Sequence, residues 1–470
     1  MVWARYGSDV NEVRLDVAQL RGKKILIVGL GISGGSAARW LSAQGARVTV
    51  SELKTEPELD AALRREILEL GVKLETGSHR EEAFTASDMI VVSPGVPLDI
   101  APLRAAMKAG IPIIGELELA GRLIETPVVA VTGTNGKSTT TALLSSMLQR
   151  AGSKVFTGGN IGTPFMDYAA GGQRADYVVL EVSSFQLDTA ETFCPMIAIL
   201  LNISPDHLDR YADYEAYTLS KLQILRNQGS GQYAILNDDD AVLSQHEPVG
   251  GVTILRYGRE KGRNRQAFIV GRSIKARLPG GREYVFHLDT FKLPGKHNQE
   301  NLLAMTLAGL ILEVNPEIIQ ETIDQFQGLP DRLEYVGTVG RVAFYNDSKA
   351  TNVDAAARSV GSFDRPVVLI AGGRHKGADY TPFVKSCAGK VTKAILLGEA
   401  KSLLADAFEG VIPISFAKDM KDAVSQSFLS AKPHDVVLLA PACSSFDMFL
   451  DFSHRGRIFR EEVKRLQHGT

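Results

Sequence analysis

Short runs of β-branched and aliphatic residues alternate with amphipathic stretches along most of the chain. KILIVGLG (24–31) is followed by SGGSAARWLSAQG, whose apolar positions fall at helical spacing. ARVTVSE (46–52) reads as the next strand. MIVVSPG (89–95) is another, stopped by a Pro-Gly turn, and IPIIGELELAGRL (111–123) leads out of this first series. Apolar strands separated by helices predict βαβ units and a parallel sheet. The rhythm restarts at PVVAVTG (127–133), with a helix over KSTTTALLSSMLQRAG and buried strands at YVVLEVSSF (177–185) and MIAILLNIS (196–204). From about 250 to 293 the runs TILRYG, AFIVGR and YVFHLDT are short and broken by glycine and basic residues. They predict an antiparallel excursion, followed by a helix from His297 to about Glu313. A third series follows GLPDRLE (328–334), with strands at RVAFYND (341–347), PVVLIAGG (366–373), KAILLGE (393–399) and DVVLLAPA (435–442). The expected class is α/β with three domains, 1–115, 116–328 and 329–470.

Length and composition agree. At 470 residues the chain has room for about three domains. Its 52 basic and 54 acidic side chains leave a net charge of −2, with no cationic excess for a nucleic-acid backbone. Three cysteines, Cys194, Cys387 and Cys443, are too few and too scattered for a disulfide framework or a CxxC metal site. The first sixteen residues lack the basic and apolar regions of a signal peptide, and no apolar run approaches the ~18 residues of a membrane span. A cytoplasmic protein is expected. The NDDD run at 237–240 reads as a solvated turn rather than a metal site.

Two glycine-rich loops carry candidate chemistry. GLGISG (29–34) follows a strand and opens a helix, and Glu52 ends the next strand. This pattern fits a dinucleotide fingerprint, another diphosphate held by the same geometry, or a tight turn with no ligand. The second loop, VTGTNGKST (131–139), has Val131 at the first-glycine position of a P-loop but keeps GTNGKS. Gly133, Thr134, Asn135 and Gly136 would present backbone N–H groups to ATP phosphates. Lys137 would supply charge, and Ser138, beside Thr139, a hydroxyl for magnesium. Glu181 and the Asp206-His207 pair follow buried strands and should reach the same sheet edge. Lys221, in YTLSKLQIL, carries no local signal and reads as a solvated helix lysine.

GTNGKST, EVSSFQL (181–187), DHLDRY (206–211), PGKHNQEN (294–301), GLPDRLE and NDSKATN (346–352) stand in the order seen in the Mur ligases, which the chain resembles over nearly its whole length. These are ATP-dependent, amide-forming ligases of peptidoglycan precursor synthesis. Within the family, GLGISG with SPG (93–95), AGGRHKGADY (371–380) and LLAPACSSFDMF (438–449) are similar to the branch that adds D-glutamate to UDP-N-acetylmuramoyl-L-alanine.

The resemblance implies a Rossmann-like UDP-sugar domain, a central P-loop ATPase domain and a Rossmann-like domain that brings the amino acid. It assigns the first glycine loop to the UDP-sugar. A monomer is expected. By the same resemblance Lys137 and Ser138 hold ATP phosphates and magnesium. Glu181, His207 and a carbamylated Lys221 complete a site for two magnesium ions. Asn298 and Asn301 meet the adenine and ribose side of ATP; Arg332 meets its phosphates and Asp347 its ribose. Ile32, Ser33, Lys54 and Gly95 meet the UDP moiety, with Leu53 and Lys54 standing where the family carries threonine and arginine. Asn160 contacts the muramoyl group. Thr351, Lys376, Ser445 and Phe452 form the D-glutamate pocket, in which Lys376 would face a dicarboxylate. The stretch 328–331 is a candidate hinge for domain closure.

Overall fold

The computed structural model describes residues 14–172, 174–247 and 250–469. Most of the N-terminal stretch read above for a signal peptide (1–13) lies outside the described residues.

Three sheets form in chain order. The first is wholly parallel, in the order β3-β2-β1-β4-β5, with β1 (Lys24–Val28), β2 (Arg47–Glu52), β3 (Lys73–Thr76), β4 (Met89–Val92) and β5 (Ile113–Gly115). Val28, Val50 and Val92 are buried on both sides of the pleat, as helix-covered parallel strands require. The second sheet has nine strands: β6 (Val128–Thr132), β7 (Val155–Gly159), β8 (Tyr177–Glu181), β9 (Ile197–Leu200), β10 (Tyr233–Asn237), β11 (Thr253–Tyr257), β12 (Arg265–Val270), β13 (Ser273–Ala276) and β14 (Tyr284–His287). Their order is β14-β13-β12-β11-β10-β9-β6-β8-β7. The third runs β15-β16-β20-β17-β18-β19, with β15 (Glu334–Val339), β16 (Val342–Asn346), β17 (Val367–Gly372), β18 (Val391–Leu397), β19 (Ile414–Phe416) and β20 (Val436–Leu439). Only β15 is antiparallel in it.

The expected antiparallel excursion is shorter than the sequence suggested. TILRYG forms β11, which pairs parallel with both β10 and β12; only β12-β13-β14 is an antiparallel meander. Strand direction depends on the connection, and 238–252 is long enough for a crossover back to a parallel neighbour. The NDDD turn is also less solvated than expected. Asp240 accepts from the backbone N–H of Ile203, Val242 and Leu243, and Asp238 and Asp239 pair with Arg265 at 2.8 Å.

The first two sheets share a core. One apolar cluster runs from Ile25, Ile27 and Val50 through Leu117 and Leu119 into Ala130, Leu180 and Leu200. The third sheet packs helices on both faces around clusters of its own. Between the second and third sheets the chain passes Gly328 (φ +85°) and Asp331 (φ +63°). Asp331 is buried and accepts from Asn346 and Arg460, so the far end of the candidate hinge is fixed to the third sheet.

Candidate active site

The site stands at the C-terminal ends of three adjacent central strands, where a doubly wound sheet leaves a crevice. β6 runs into the loop 133–136 and then helix α2 (Lys137–Arg150). β8 delivers Glu181, and β9 leads to Asn202, Asp206 and His207. Gly136 has φ +89°, and a Cβ there would lie 2.5 Å from Asn301 Oδ1, so the loop requires glycine at that position. Asn202, which the sequence reading passed over, stitches the loop in place. Its carbonyl accepts from Thr134 N–H and its Oδ1 from Asn135 N–H, both at 2.8 Å. The only signal was a polar residue directly after the apolar run IAILL.

The named side chains converge in a cleft of about 320 Å³. Lys137 Nζ donates to the carbonyls of Gly133 and Thr134, both at 2.8 Å. Glu181 is buried; its Oε2 accepts from Ser138 Oγ at 2.5 Å and its Oε1 from Asn160 Nδ2 at 2.9 Å. Lys221 is not a solvated lysine. It lies on α4 (Tyr214–Leu222), is 2% exposed, and donates from Nζ to Gly133 O at 2.9 Å. Asn298 and Asn301, on α5 (Lys296–Ile311), are buried behind the loop, with Asn301 Nδ2 donating to Asn298 Oδ1 at 3.4 Å.

The unit built on the third sheet, the third in chain order, supplies the opposite wall. Arg332 Nη2 donates to Ser138 Oγ at 2.7 Å, directly over the phosphate loop. Asp354, on α6 (Val353–Gly361), accepts from Asn135 Nδ2 at 2.7 Å and Ser204 Oγ at 3.1 Å. Asn352 Nδ2 donates to Asp206 at 2.7 Å, and Lys376 Nζ lies 4.0 Å from the same carboxylate. Thr351 and Lys376 line the cleft. Ser445 and Phe452 stand behind it: Ser445 is buried, and Phe452 lies under Lys349 Nζ at 4.1 Å.

Six lysine and arginine side chains, Lys137, Lys221, Arg332, Lys349, Arg358 and Lys376, line this cleft beside the carboxylates of Glu181, Asp206 and Asp347. Burial lowers Lys137 and places Lys221 well below the usual lysine range, with neighbouring Lys137 adding to the shift of Lys221. Lys349 comes down to about 8 through burial and Arg332, and burial raises Asp347 to about 6. Burial and the flanking lysines Lys376, Lys221 and Lys137 also lower His207, against the pull of Asp206. Surplus positive charge held in a partly desolvated cleft is the complement of a polyphosphate.

A second cleft, of about 810 Å³, opens at the ends of the first sheet. Ile32, Ser33, Lys54, Gly95 and Asn160 all line it, and Asn160 also borders the first cleft, so the two adjoin there. The glycine loop leads into α1 (Ile32–Ala43). A Cβ on Gly34 would lie 2.1 Å from Gly29 O. Glu52 Oε2 accepts from Leu30 N–H at 2.6 Å and its Oε1 from Lys54 N–H at 3.0 Å. Both oxygens thus accept from backbone N–H groups, which fixes the Glu52 carboxylate beside the glycine loop at the edge of the cleft.

Comparison with known proteins agrees with this geometry. Three family models match in series: the MurD-like N-terminal domain of Mur ligases at 23–115, the Mur ligase middle domain at 131–309, and the Mur ligase glutamate ligase domain at 331–443. The chain belongs to the Mur ligase family. Within it, the chain is 41% identical over 452 residues to the UDP-N-acetylmuramoylalanine–D-glutamate ligase of Geotalea uraniireducens, covering 96% of this chain and 99% of that one. It is 43% identical to the ligase of the same name from Koribacter versatilis, covering 95% and 98%. Among solved structures, the MurF ligase of Thermotoga maritima in complex with ADP aligns with a TM-score of 0.59 at 16% identity, covering 98% of this chain and all of that one. The UDP-N-acetylmuramate–alanine ligase MurC of Thermotoga maritima aligns at 0.58 with 20% identity, covering 95% and 100%. These two establish the shared fold. Among the described residues no helix is long and apolar enough to cross a membrane.

Proposed function

We propose that the two adjoining clefts join D-glutamate to UDP-N-acetylmuramoyl-L-alanine at the expense of ATP, in the cytoplasmic stage of peptidoglycan synthesis. The observation that carries this reading is the single cleft in which the phosphate loop, Glu181, His207 and Lys221 of the second unit face Arg332, Thr351 and Lys376 of the third. The sugar nucleotide lies along the second cleft, with its diphosphate at the start of α1 and its alanyl carboxylate directed past Asn160. ATP lies on the 133–139 loop, between Asn298 and Asn301 on one side and Arg332 and Asp347 on the other.

The alanyl carboxylate attacks the γ-phosphorus, the bond to the β-γ bridging oxygen breaks, and ADP leaves. A carboxylate is a poor acyl donor because its leaving group is oxide; phosphorylation replaces that with phosphate. The neutral amine of D-glutamate then adds to the acyl carbon, loses a proton, and inorganic phosphate departs. Lys137 and Arg332 offset charge on the transferring group, and most of the acceleration is positioning and electrostatics. Lys376 and Thr351, backed by Ser445 and Phe452, hold the dicarboxylate. The contact of Asp354 and Asn352 with the second unit shields the acyl phosphate from water.

The donor set suits magnesium. Glu181 is a buried carboxylate sharing a short hydrogen bond with the Ser138 hydroxyl, and hard oxygen donors of this kind bind that ion while phosphates and water complete its shell. Ser138, Glu181, His207 and a carbamylated Lys221 would hold two such ions, which offset phosphate charge when bound. Among the described residues no cluster of three histidine, cysteine or carboxylate side chains forms an all-protein metal cage.

The test is ADP release with UDP-N-acetylmuramoyl-L-alanine, magnesium and ATP, one amino acid at a time, with products weighed by mass spectrometry. The expected result is turnover with D-glutamate and the mass of the condensed amide. Turnover with another amino acid alone would overturn the substrate reading.

A further inference from the structure

We infer that Arg210 is a positioning residue that couples the sugar-nucleotide cleft to the His207 turn of the reaction site. The inference rests on the substrate reading above and adds a link between its two clefts.

Arg210 belongs to the loop after β9, yet its guanidinium reaches into the first unit. Nη1 donates to the carbonyl of Gly95 at 2.8 Å and Nη2 to that of Val96 at 2.5 Å. Both carbonyls lie on the turn after β4 that lines the sugar-nucleotide cleft. The same guanidinium sits over the ring of Phe185, 4.3 Å from its centroid. Phe185 is on α3 (Ser184–Leu187), a few residues past Glu181. Its ring meets the His207 imidazole edge-on at 4.8 Å and stacks on Tyr211 at 5.8 Å.

The backbone closes the circuit. His207 has φ +55°, a conformation a non-glycine residue keeps only where its surroundings over-determine it. Its carbonyl accepts from Arg210 N–H at 2.9 Å and Tyr211 N–H at 3.1 Å. The imidazole and the guanidinium are therefore two ends of one turn, bridged on the side-chain face by Phe185. Tyr211 extends the connection toward Lys221, because its hydroxyl lies 3.2 Å from the Oγ of Ser220. Lysine cannot replace this arrangement. A single ammonium lacks both the fork that meets two adjacent carbonyls and the flat face that covers a ring.

A sugar nucleotide that settles the 95–96 turn thereby settles Arg210, Phe185 and His207, and the reciprocal effect follows by linkage. The test uses the full chain and two substitutions, Arg210→Met and Phe185→Leu. Calorimetry measures binding of a non-hydrolysable ATP analogue with and without saturating UDP-N-acetylmuramoyl-L-alanine. Steady-state constants are measured in parallel for all three substrates.

In the unaltered protein the sugar nucleotide should tighten the analogue by roughly fivefold or more. In Arg210→Met that factor should fall to about one. KM for the sugar nucleotide should rise roughly tenfold, as expected for losing charge-assisted bonds to two carbonyls, with KM for D-glutamate unchanged. Phe185→Leu leaves the two carbonyl bonds in place. It should keep KM for the sugar nucleotide within about twofold and still lose the coupling. A mere staple between units would raise all three KM values together and leave the coupling intact, and that result would overturn the inference. Absence of coupling in the unaltered protein would do the same. Failure to form an amide with D-glutamate would instead strike the substrate reading, because coupling is read from binding alone.

Discussion

Arg455 is 2% exposed on α7 (Phe452–Gly469), and its contacts predict a large and specific penalty for its loss. Nε donates to Ser348 Oγ at 2.9 Å and Nη2 to the Ser348 carbonyl at 2.8 Å. Nη1 and Nη2 both reach the Cys443 carbonyl at 3.2 Å, and Nη1 also points toward the carbonyls of Ser444 and Gly372 at 3.4 and 3.5 Å. One guanidinium thus ties together the three loops that present Lys349 and Thr351, Lys376, and Ser445. Burial lowers it to about 10, so it remains charged at neutral pH, held by carbonyls.

In Arg455→Met the aliphatic stem is retained, but carbonyls at Ser348 and Cys443 lose their charged donor. Each buried orphan costs about 1–3 kcal/mol. Two such carbonyls cost about 2–6 kcal/mol, and relief of the buried charge offsets part of that, which leaves about 1–4 kcal/mol, a large share of the ~5–15 kcal/mol that stabilises a typical domain. Urea unfolding followed by circular dichroism gives the stability. KM for D-glutamate, measured well below the transition, gives the effect on the pocket and should rise more than KM for ATP. A stability loss under about 1 kcal/mol with all KM values unchanged would refute the account of Arg455 as the residue that holds these loops.

Three further outcomes follow from the geometry. Lys376→Met should raise KM for D-glutamate by roughly a hundredfold or more, with KM for the sugar nucleotide changed less than about twofold, because it removes the cation facing a dicarboxylate; equal effects on both would refute the assignment. Asp354→Ala removes the acceptor of Asn135 and Ser204 and should increase ATP hydrolysis without amide formation, measured as the ratio of phosphate to amide product. Glu116 is buried between the first two units; its Oε1 accepts from Met166 N–H at 2.5 Å, its Oε2 has no partner, and burial raises it to about 7. A carboxyl whose folded value lies above its ordinary 4.5 binds more protons folded than unfolded, so stability falls as pH rises from about 4.5 to about 7. Glu116→Gln should match the unaltered protein at pH 4.5 and exceed it by up to about 3 kcal/mol at pH 8; equal stability at pH 8 would refute this.

The parts of the site legible in the sequence are those whose chemistry is local. The phosphate loop needs glycine at 133 and 136, a lysine and a hydroxyl within one turn, and a strand before them, so its residues stand together in the chain. Glu181 and His207 were legible at one remove, because neighbouring parallel strands end at one edge. Lys376 and Arg332 could be placed only through family resemblance, since the loops that carry them meet the second unit in space alone. The same reason hid Asn202, Arg210, Asp354 and Arg455, each of which acts by bonding to backbone or side chains far along the chain.

Lys221 shows where a closer reading of period would have helped. Tyr217, Lys221 and Leu225 recur at intervals of four, and Ile224 falls on the same side; Tyr217, Ile224 and Leu225 are all buried. A lysine between apolar residues on a buried face is not a solvated lysine. It must find a partner or lose its charge, because an ammonium out of water is costly. Here Nζ finds the Gly133 carbonyl at 2.9 Å and the face of Tyr217 at 4.7 Å, while the Tyr217 hydroxyl lies 3.1 Å from Thr134 Oγ1. What α4 buries is therefore a polar contact with the phosphate loop. The apolar stripe thus marks Lys221 as a buried basic residue, and only the tertiary contact with Gly133 shows that it belongs to the reaction site, since Arg455 stands on a like stripe with Phe459 and Val463 and lines neither cleft.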